Sequence, residues 1–458
     1  MDALVCEREA ALENETLWQD ARWELEPFRA VAELWADFKR PQAAWLLIQA
    51  GQCLCRLAEW SKAEPLLRRA LAIDEQSFGS ERPSVARDLN NLAGLLHATN
   101  RLAEAEPLLR RALAIDEQSF GPEDPNVASD LNNLAGLLQA TNRLAEAEPL
   151  LRRALAIDEQ SFGSERPSVA RDLNNLAALL QATNRLAEAE PLLRRALAID
   201  EQSYGPEHHK VAIRLNNLAG LLHDTNRLAE AEPLLRRALA IDEQSYGPEH
   251  PDVARDLNNL AALLQDTNRL AEAELLLRRV VEIYEKSMGV NHPNIATSLS
   301  NLVGLLHATN RLAEAEPLLR RALAIDEQSF GPEHPDVARD LNNLAALLHA
   351  TNRLAEAELL LRRALAIDEQ SYGPEHPNVA IRLNNLAALL QATNRLAEAE
   401  PLMRRPLEIF LKFTRATGHP HPHLQAVVNN YAELLEKMGR SQEQILATLR
   451  ELAPECFQ

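Results

Sequence analysis

The chain has 458 residues, 25% of them charged and only 4% aromatic, with a formal net charge of -19. No lysine- or arginine-rich run breaks this acidic balance, which would repel a phosphate backbone and argues against a nucleic-acid partner. The four cysteines, Cys6, Cys53, Cys55 and Cys456, suggest neither a disulfide framework nor a zinc site and fit a reducing compartment.

Residues 1–40 begin MDALVCEREAALENE, acidic where a secretory signal would place positive charge. No apolar run approaches the ~18 residues of a membrane span, so no membrane association is expected and a cytoplasmic location is the simplest reading. Trp18, Trp23 and Trp35 fall here, and EPFRAVAELW is similar to the second helix of the repeats that follow. Residues 1–40 are therefore expected to form an N-terminal helical cap, with a degraded repeat as one form of it, whose tryptophans seal the end of an array.

From residue 41 the sequence repeats every 42 residues: the LNNLA of 89–93 returns at 131, 173, 215, 257, 341 and 383, as LSNLV at 299 and VNNYA at 428. Nine such units over 41–416 predict a helical solenoid, which grows by stacking and needs no closed core. Within one unit, Val85, Leu89, Leu92 and Leu96 form one helical stripe, called here helix A. Pro83 suits its first turn, and Asn100 falls where a left-handed turn residue is needed. Helix B follows, with Leu102, Ala105, Leu109, Ala112 and Leu113 expected inside and Gly121 at its end. Pro107, repeated at 65, 149, 191, 233, 317 and 401, predicts a lost hydrogen bond and a slight bend; Leu275 and Leu359 replace it twice. Residues 280–303 are the most divergent internal stretch, a candidate weak point or docking place. Residues 417–458, with TGHPHPHL and a shortened pair, are expected to form a degenerate last repeat and C-terminal cap.

Catalytic patterns are missing. No glycine-rich phosphate loop, HExxH or nucleophile elbow occurs. His97, His223, His307 and His349 share a position that glutamine fills in other repeats, which makes it a polar lining. The HPHPH run at 419–423 echoes the linkers His250–Pro251, His334–Pro335 and His376–Pro377 and reads as structure more readily than as a metal site. The expectation is a non-enzyme with no metal and no cofactor.

The order of leucine, small residue, turn residue and alanine across paired helices resembles the tetratricopeptide repeat. With LNNLA, RRALAI and GPEHPDVA at a 42-residue period it is similar, more narrowly, to kinesin light chains and their bacterial relatives. This resemblance implies an all-α, right-handed superhelical solenoid of antiparallel helix pairs, A helices lining the concave side. It does not imply a motor role, since no heptad stretch for pairing with a heavy chain is present.

On that concave face the sequence would place two asparagine rows: Asn90, Asn132, Asn174, Asn216, Asn258, Asn342 and Asn384, beside Asn91, Asn133, Asn175, Asn217, Asn259, Asn301, Asn343 and Asn385. Asparagine costs roughly 0.6 kcal/mol against alanine in a helix, so these amides need a use. An amide both donates and accepts and can pair with any peptide backbone. Arg87, Arg171, Arg255 and Arg339 recur in alternate repeats and could select carboxylates. The expected function is a scaffold gripping an extended, possibly acidic, peptide segment. The competing use of the same residues is internal, with asparagines bonding to neighbouring helices and arginines to aspartates such as Asp88. Two further readings are an array that senses a ligand for a separate signalling ATPase or protease, and self-association of the near-identical repeats; the oligomeric state is left open.

Overall fold

The computed structural model describes residues 42–452; the expected cap at 1–40 lies outside them. Nine pairs of helices follow one another, then a shorter tenth. The A helices are α1 Gln42–Arg56, α3 Pro83–Ala98, α5 Pro125–Ala140, α7 Pro167–Ala182, α9 His209–Asp224, α11 Pro251–Asp266, α13 Pro293–Ala308, α15 Pro335–Ala350, α17 Pro377–Ala392 and α19 Leu424–Lys437. The B helices are α2 Trp60–Phe78, α4 Leu102–Phe120, α6 Leu144–Phe162, α8 Leu186–Tyr204, α10 Leu228–Tyr246, α12 Leu270–Met288, α14 Leu312–Phe330, α16 Leu354–Tyr372, α18 Leu396–Thr417 and α20 Gln442–Leu452. The described residues contain no strand.

The predicted stripe of helix A is fully buried. Val85, Leu89, Leu92 and Leu96 are joined by Ala86, Ala93 and Leu95, because α3 is pressed by α2 on one side and α4 on the other. On α4 the inward residues are Leu102, Ala105, Leu109, Ala112 and Ile115; Leu113 is half-buried against the next repeat instead. Alanines at the closest approach let the helices pack near each other.

Each A helix ends as the sequence predicts. Asn100 has φ 56°, and the equivalent asparagines through Asn394 share that left-handed turn, with Ala58 taking it in the first pair at φ 55°. The B helices run on through their prolines. Pro107 and its equivalents are exposed on the outer face, as are the two leucines that replace them, Leu275 and Leu359, each 70% exposed. There water can take the carbonyl that the missing N–H leaves unpaired, so the ring is tolerated. Glu106 pairs with Arg110 on this face at 2.7 Å and also receives Arg143 from the next repeat at 2.8 Å. Arg101 to Glu64 and Arg185 to Glu148 repeat that inter-repeat link.

Neighbouring A helices touch, as α7 does α9 and α9 does α11, which places them on the inside of the curve. The curvature brings the chain back onto itself. The imidazole Nε2 of His292 lies 3.2 Å from the Arg56 carbonyl oxygen, and the Asn184 amide donates to the Pro420 carbonyl at 3.4 Å; both spans are 236 residues. Trp60 stacks on Phe330 with ring centroids 6.1 Å apart. His376 meets the backbone of Ala140 at the same separation, and the His334 ring stands over the turn at Thr99, its Nε2 without a hydrogen bond. One superhelical turn thus takes between five and six repeats, and the second turn rests on the first along a seam.

Candidate concave channel

The concave stripe is built from the solvent side of the A helices. Gly94, Gly136, Ala178, Gly220, Ala262, Gly304, Ala346 and Ala388 are exposed there, and a Cβ added at Gly94, Gly136, Gly220 or Gly304 would meet nothing within 4 Å. Between α7, α9 and α11 the stripe deepens into a cavity of about 330 Å³ lined by Asn174, Ala178, Gln181, Asn217, Gly220, His223 and Asn259 among others. Asp224 and Asp266, at a position that is Arg56 in the first unit and alanine in the other six, stand at this place, and the His223 ring lies 2.5 Å from Asp266. His97, His307 and His349 are exposed at the equivalent level of their own repeats.

The asparagines form the two adjacent rows that the sequence places there, and they are bonded to one another. Three first-row amide nitrogens reach an aspartate of the next A helix: Asn90 to Asp130 at 2.6 Å, Asn132 to Asp172 at 2.9 Å, Asn216 to Asp256 at 2.8 Å. Each first-row oxygen accepts from the second-row amide of the next repeat. Asn133 donates to Asn90, Asn175 to Asn132, Asn217 to Asn174, Asn259 to Asn216, Asn301 to Asn258 and Asn385 to Asn342, at 2.6 to 3.3 Å. Gln52 supplies the bond to Asn91, and Asn430 to Asn384. One or two such bonds per junction, each worth about 1 kcal/mol net, weigh against the roughly 0.6 kcal/mol of helix propensity per asparagine. The ladder therefore has a structural use. Most second-row members, with Asn343, remain half-exposed to the channel, while Asn216 is buried.

The arginine row also has partners inside the chain. Arg171 pairs with Asp158 at 3.4 Å and Asp172 at 3.2 Å; Arg255 pairs with Asp242 at 3.2 Å; Arg339 pairs with Asp326 at 3.1 Å; and Arg87 reaches Asp88 at 3.5 Å. Those aspartates are buried. They face each other across the junction between one B helix and the next A helix, and the arginine answers their charge. A buried carboxylate without a partner would cost several kcal/mol, so each arginine has an internal use, while its side chain stays 35–54% exposed.

Burial raises these carboxyls both with and without the arginine. Ser129 occupies the position in the second unit, and burial pushes Asp130 up to about 7 and Asp116 up to about 6. Burial and the facing Asp256 carry Asp242 to about 8, against the pull of Arg255. Two junctions use another solution: Arg214 replaces the A-helix aspartate and bonds Asp200 at 2.8 Å, and Arg382 does so with Asp368.

The linker histidines were read only as structure, and their chemistry is more specific. Nδ1 of His292, His334 and His376 accepts the backbone N–H two residues on, capping the following helix at 3.1 to 3.2 Å. That fixes the neutral tautomer with its proton on Nε2, the atom that His292 points at Arg56. His334 and His376 also stack on Phe330 and Tyr372 with centroids 4.3 and 4.4 Å apart. Burial holds the His376 imidazole at about 4.

Among the described residues no group of histidine, cysteine, aspartate or glutamate is arranged to hold a metal, and no helix is long and apolar enough to cross a membrane. Free Cys53 and Cys55 sit in α1, their thiols raised by burial.

Paired helices of fixed length stacked in one continuous array define a helical-repeat solenoid. The tetratricopeptide repeat model matches residues 42–118, 89–160, 126–202, 168–244, 211–286, 294–370 and 360–412, and the chain belongs to that family. Among solved structures it is similar to a kinesin light chain from Podosopora anserina with nearly identical TPR-like repeats (28% identity over 45% of this chain and 97% of that one, TM-score 0.39). BtubC (BKLC) from P. vanneervenii matches at 25% identity over 50% of this chain and 89% of that one, TM-score 0.40. A Rap protein complexed with Competence and Sporulation Factor matches at 15% identity over 78% of this chain and 99% of that one, TM-score 0.48. No curated protein matches the chain.

Proposed function

We propose that this chain is a non-enzymatic scaffold that holds an extended protein segment along its concave channel. The observation that carries the reading is the continuous strip of exposed glycine and alanine, from Gly94 to Ala388, flanked by half-exposed amides. An extended peptide advances roughly 3.3 Å per residue, and neighbouring A helices lie about 10 Å apart, so one rung meets every third residue. The second-row amides are the ones offered to it: Asn91, Asn133, Asn175, Asn217, Asn259, Asn301, Asn343 and Asn385. Gln181, His223 and the other members of that row add donors and acceptors at the cavity.

Selectivity for acidic segments would need cations in the channel, and the arginine row is engaged by buried aspartates. The grip is therefore assigned to amides and to shape. A library of displayed linear twelve-residue segments tests this. Binders selected on the wild type should lose at least tenfold in affinity on Gly136→Trp and Gly220→Trp, which fill the strip; binders indifferent to both substitutions would refute the channel.

A further inference from the structure

The seam closes the channel at its side. Along 236 residues the array makes one full circuit, and the second turn lies against the first at five places: His292 with Arg56, Phe330 with Trp60, His334 over the turn at Thr99, His376 with Ala140, and Pro420 with Asn184. A coil whose turns touch is a ring with a wall, open along its axis alone.

Its bore follows from the same figures. Five to six A helices at about 10 Å spacing place opposite helix axes roughly 18 Å apart. Subtracting about 10 Å of helix width leaves a passage of about 8 Å. An α-helix with its side chains needs 10–12 Å and does not fit. A single extended strand does, best where the lining is glycine or alanine.

Histidine stands in five consecutive linkers, at His208, His250, His292, His334 and His376, of which the last three come over an earlier described turn, whereas the first three linkers carry Arg82, Asp124 and Arg166 at the same position. Phe78, Phe120 and Phe162 are 46–48% exposed, while Phe330 and Tyr372, which stack on their histidines, are half-buried.

We propose that the bound segment enters as a free chain end threaded along the axis of this ring, so that the scaffold accepts unstructured termini and excludes internal loops of folded proteins. This rests on the channel reading above and adds to it a topological rule. A segment flanked by folded domains on both sides reaches the channel only when the seam parts.

The test uses twelve-residue binders selected as above, and only those that Gly136→Trp and Gly220→Trp abolish, so that a failure of the channel reading is recognised first. Each binder is presented in two ways, with one free end and between two folded domains joined by short linkers, and association rates are measured on the full chain. The flanked form should associate at least a hundredfold more slowly. The triple variant His292→Asp, His334→Asp, His376→Asp should speed the flanked form and leave the free-ended form unchanged. Aspartate keeps the helix cap, as Asp124 does at 2.9 Å, while it removes the Nε2 donor and sets a carboxylate against a carbonyl. Phe330→Ser, which removes the stacks on Trp60 and His334 and leaves the other seam contacts, serves as a second opening. Equal rates for flanked and free-ended forms on the wild type would overturn the proposal, as would a flanked form no faster on either opened variant.

Discussion

The first and second turns of this superhelix have nearly the same sequence and different surroundings. In the first, the linkers at Arg82, Asp124 and Arg166 face solvent; in the second, those at His292, His334 and His376 face a turn already laid down. The repeat unit is the same, and only the few residues at the contact differ. Within a solenoid most positions answer to the next repeat, but a minority answer to the repeat one circuit away.

Acidification should break the comparison most strongly. His376 is held at about 4 against an ordinary 6.5, and His334 is also lowered by burial. A depressed histidine contributes stability that is present above pH 6.5 and lost as pH falls toward 4. His376 alone is worth up to about 3 kcal/mol. Charged groups on both sides belong to the outcome: Asp336 beside His334 and Arg339 behind it. Hydrogen exchange at Ala98 and Ala140, corrected for intrinsic rate, should quicken between pH 6.5 and 4.5 while equivalent amides off the seam do not.

The Asp116–Asp130 junction should move the other way. Its carboxyls are raised to about 6 and about 7, so their contribution is fully present below pH 3.8 and is lost as pH rises through 6 to 7. Asp130→Asn, which can still accept from Asn90, should stabilise the chain by about 2 kcal/mol at pH 7.5 and by much less at pH 5, read as a shift in thermal midpoint. Ser129→Arg, copying the other junctions, should reproduce part of that gain at pH 7.5.

A smaller effect separates two equivalent aromatic residues. Phe330→Ser should cost about 1–2 kcal/mol through the lost stack and buried area, and Phe120→Ser under about 0.5 kcal/mol, both by denaturant titration. Smallest of all, Arg82→His and Arg166→His should change stability by less than about 0.5 kcal/mol, since no described residue offers a carbonyl beneath them.

Much of the fold was legible because it rests on local rules. The stripe from Val85 to Leu96, the left-handed Asn100 and the outward Pro107 all follow from periodicity and backbone preference. The use of the asparagines was not legible, because propensity shows that a residue is costly without showing what it meets. A signal was available in adjacent positions read together. Where Asp becomes Arg, at Arg214 and Arg382, the residue before it becomes Ile213 and Ile381. That exchange keeps one positive charge beside the B-helix aspartate, which marks a charge answered inside the chain. The seam could not be read at all from one repeat, since its register depends on the curvature summed over several.

That register bears on how such a gene can grow or shrink. A span of 236 residues is not a whole number of 42-residue units; it sets each linker on the turn between the A and B helices below. Adding or deleting one complete unit leaves every linker above such a turn, but hands the contact to a different linker. Histidine already stands in the two linkers ahead of His292, at His208 and His250. A duplication or two within the first circuit would bring those forward to meet a carbonyl, and the ring would close with a changed copy number and no new mutation.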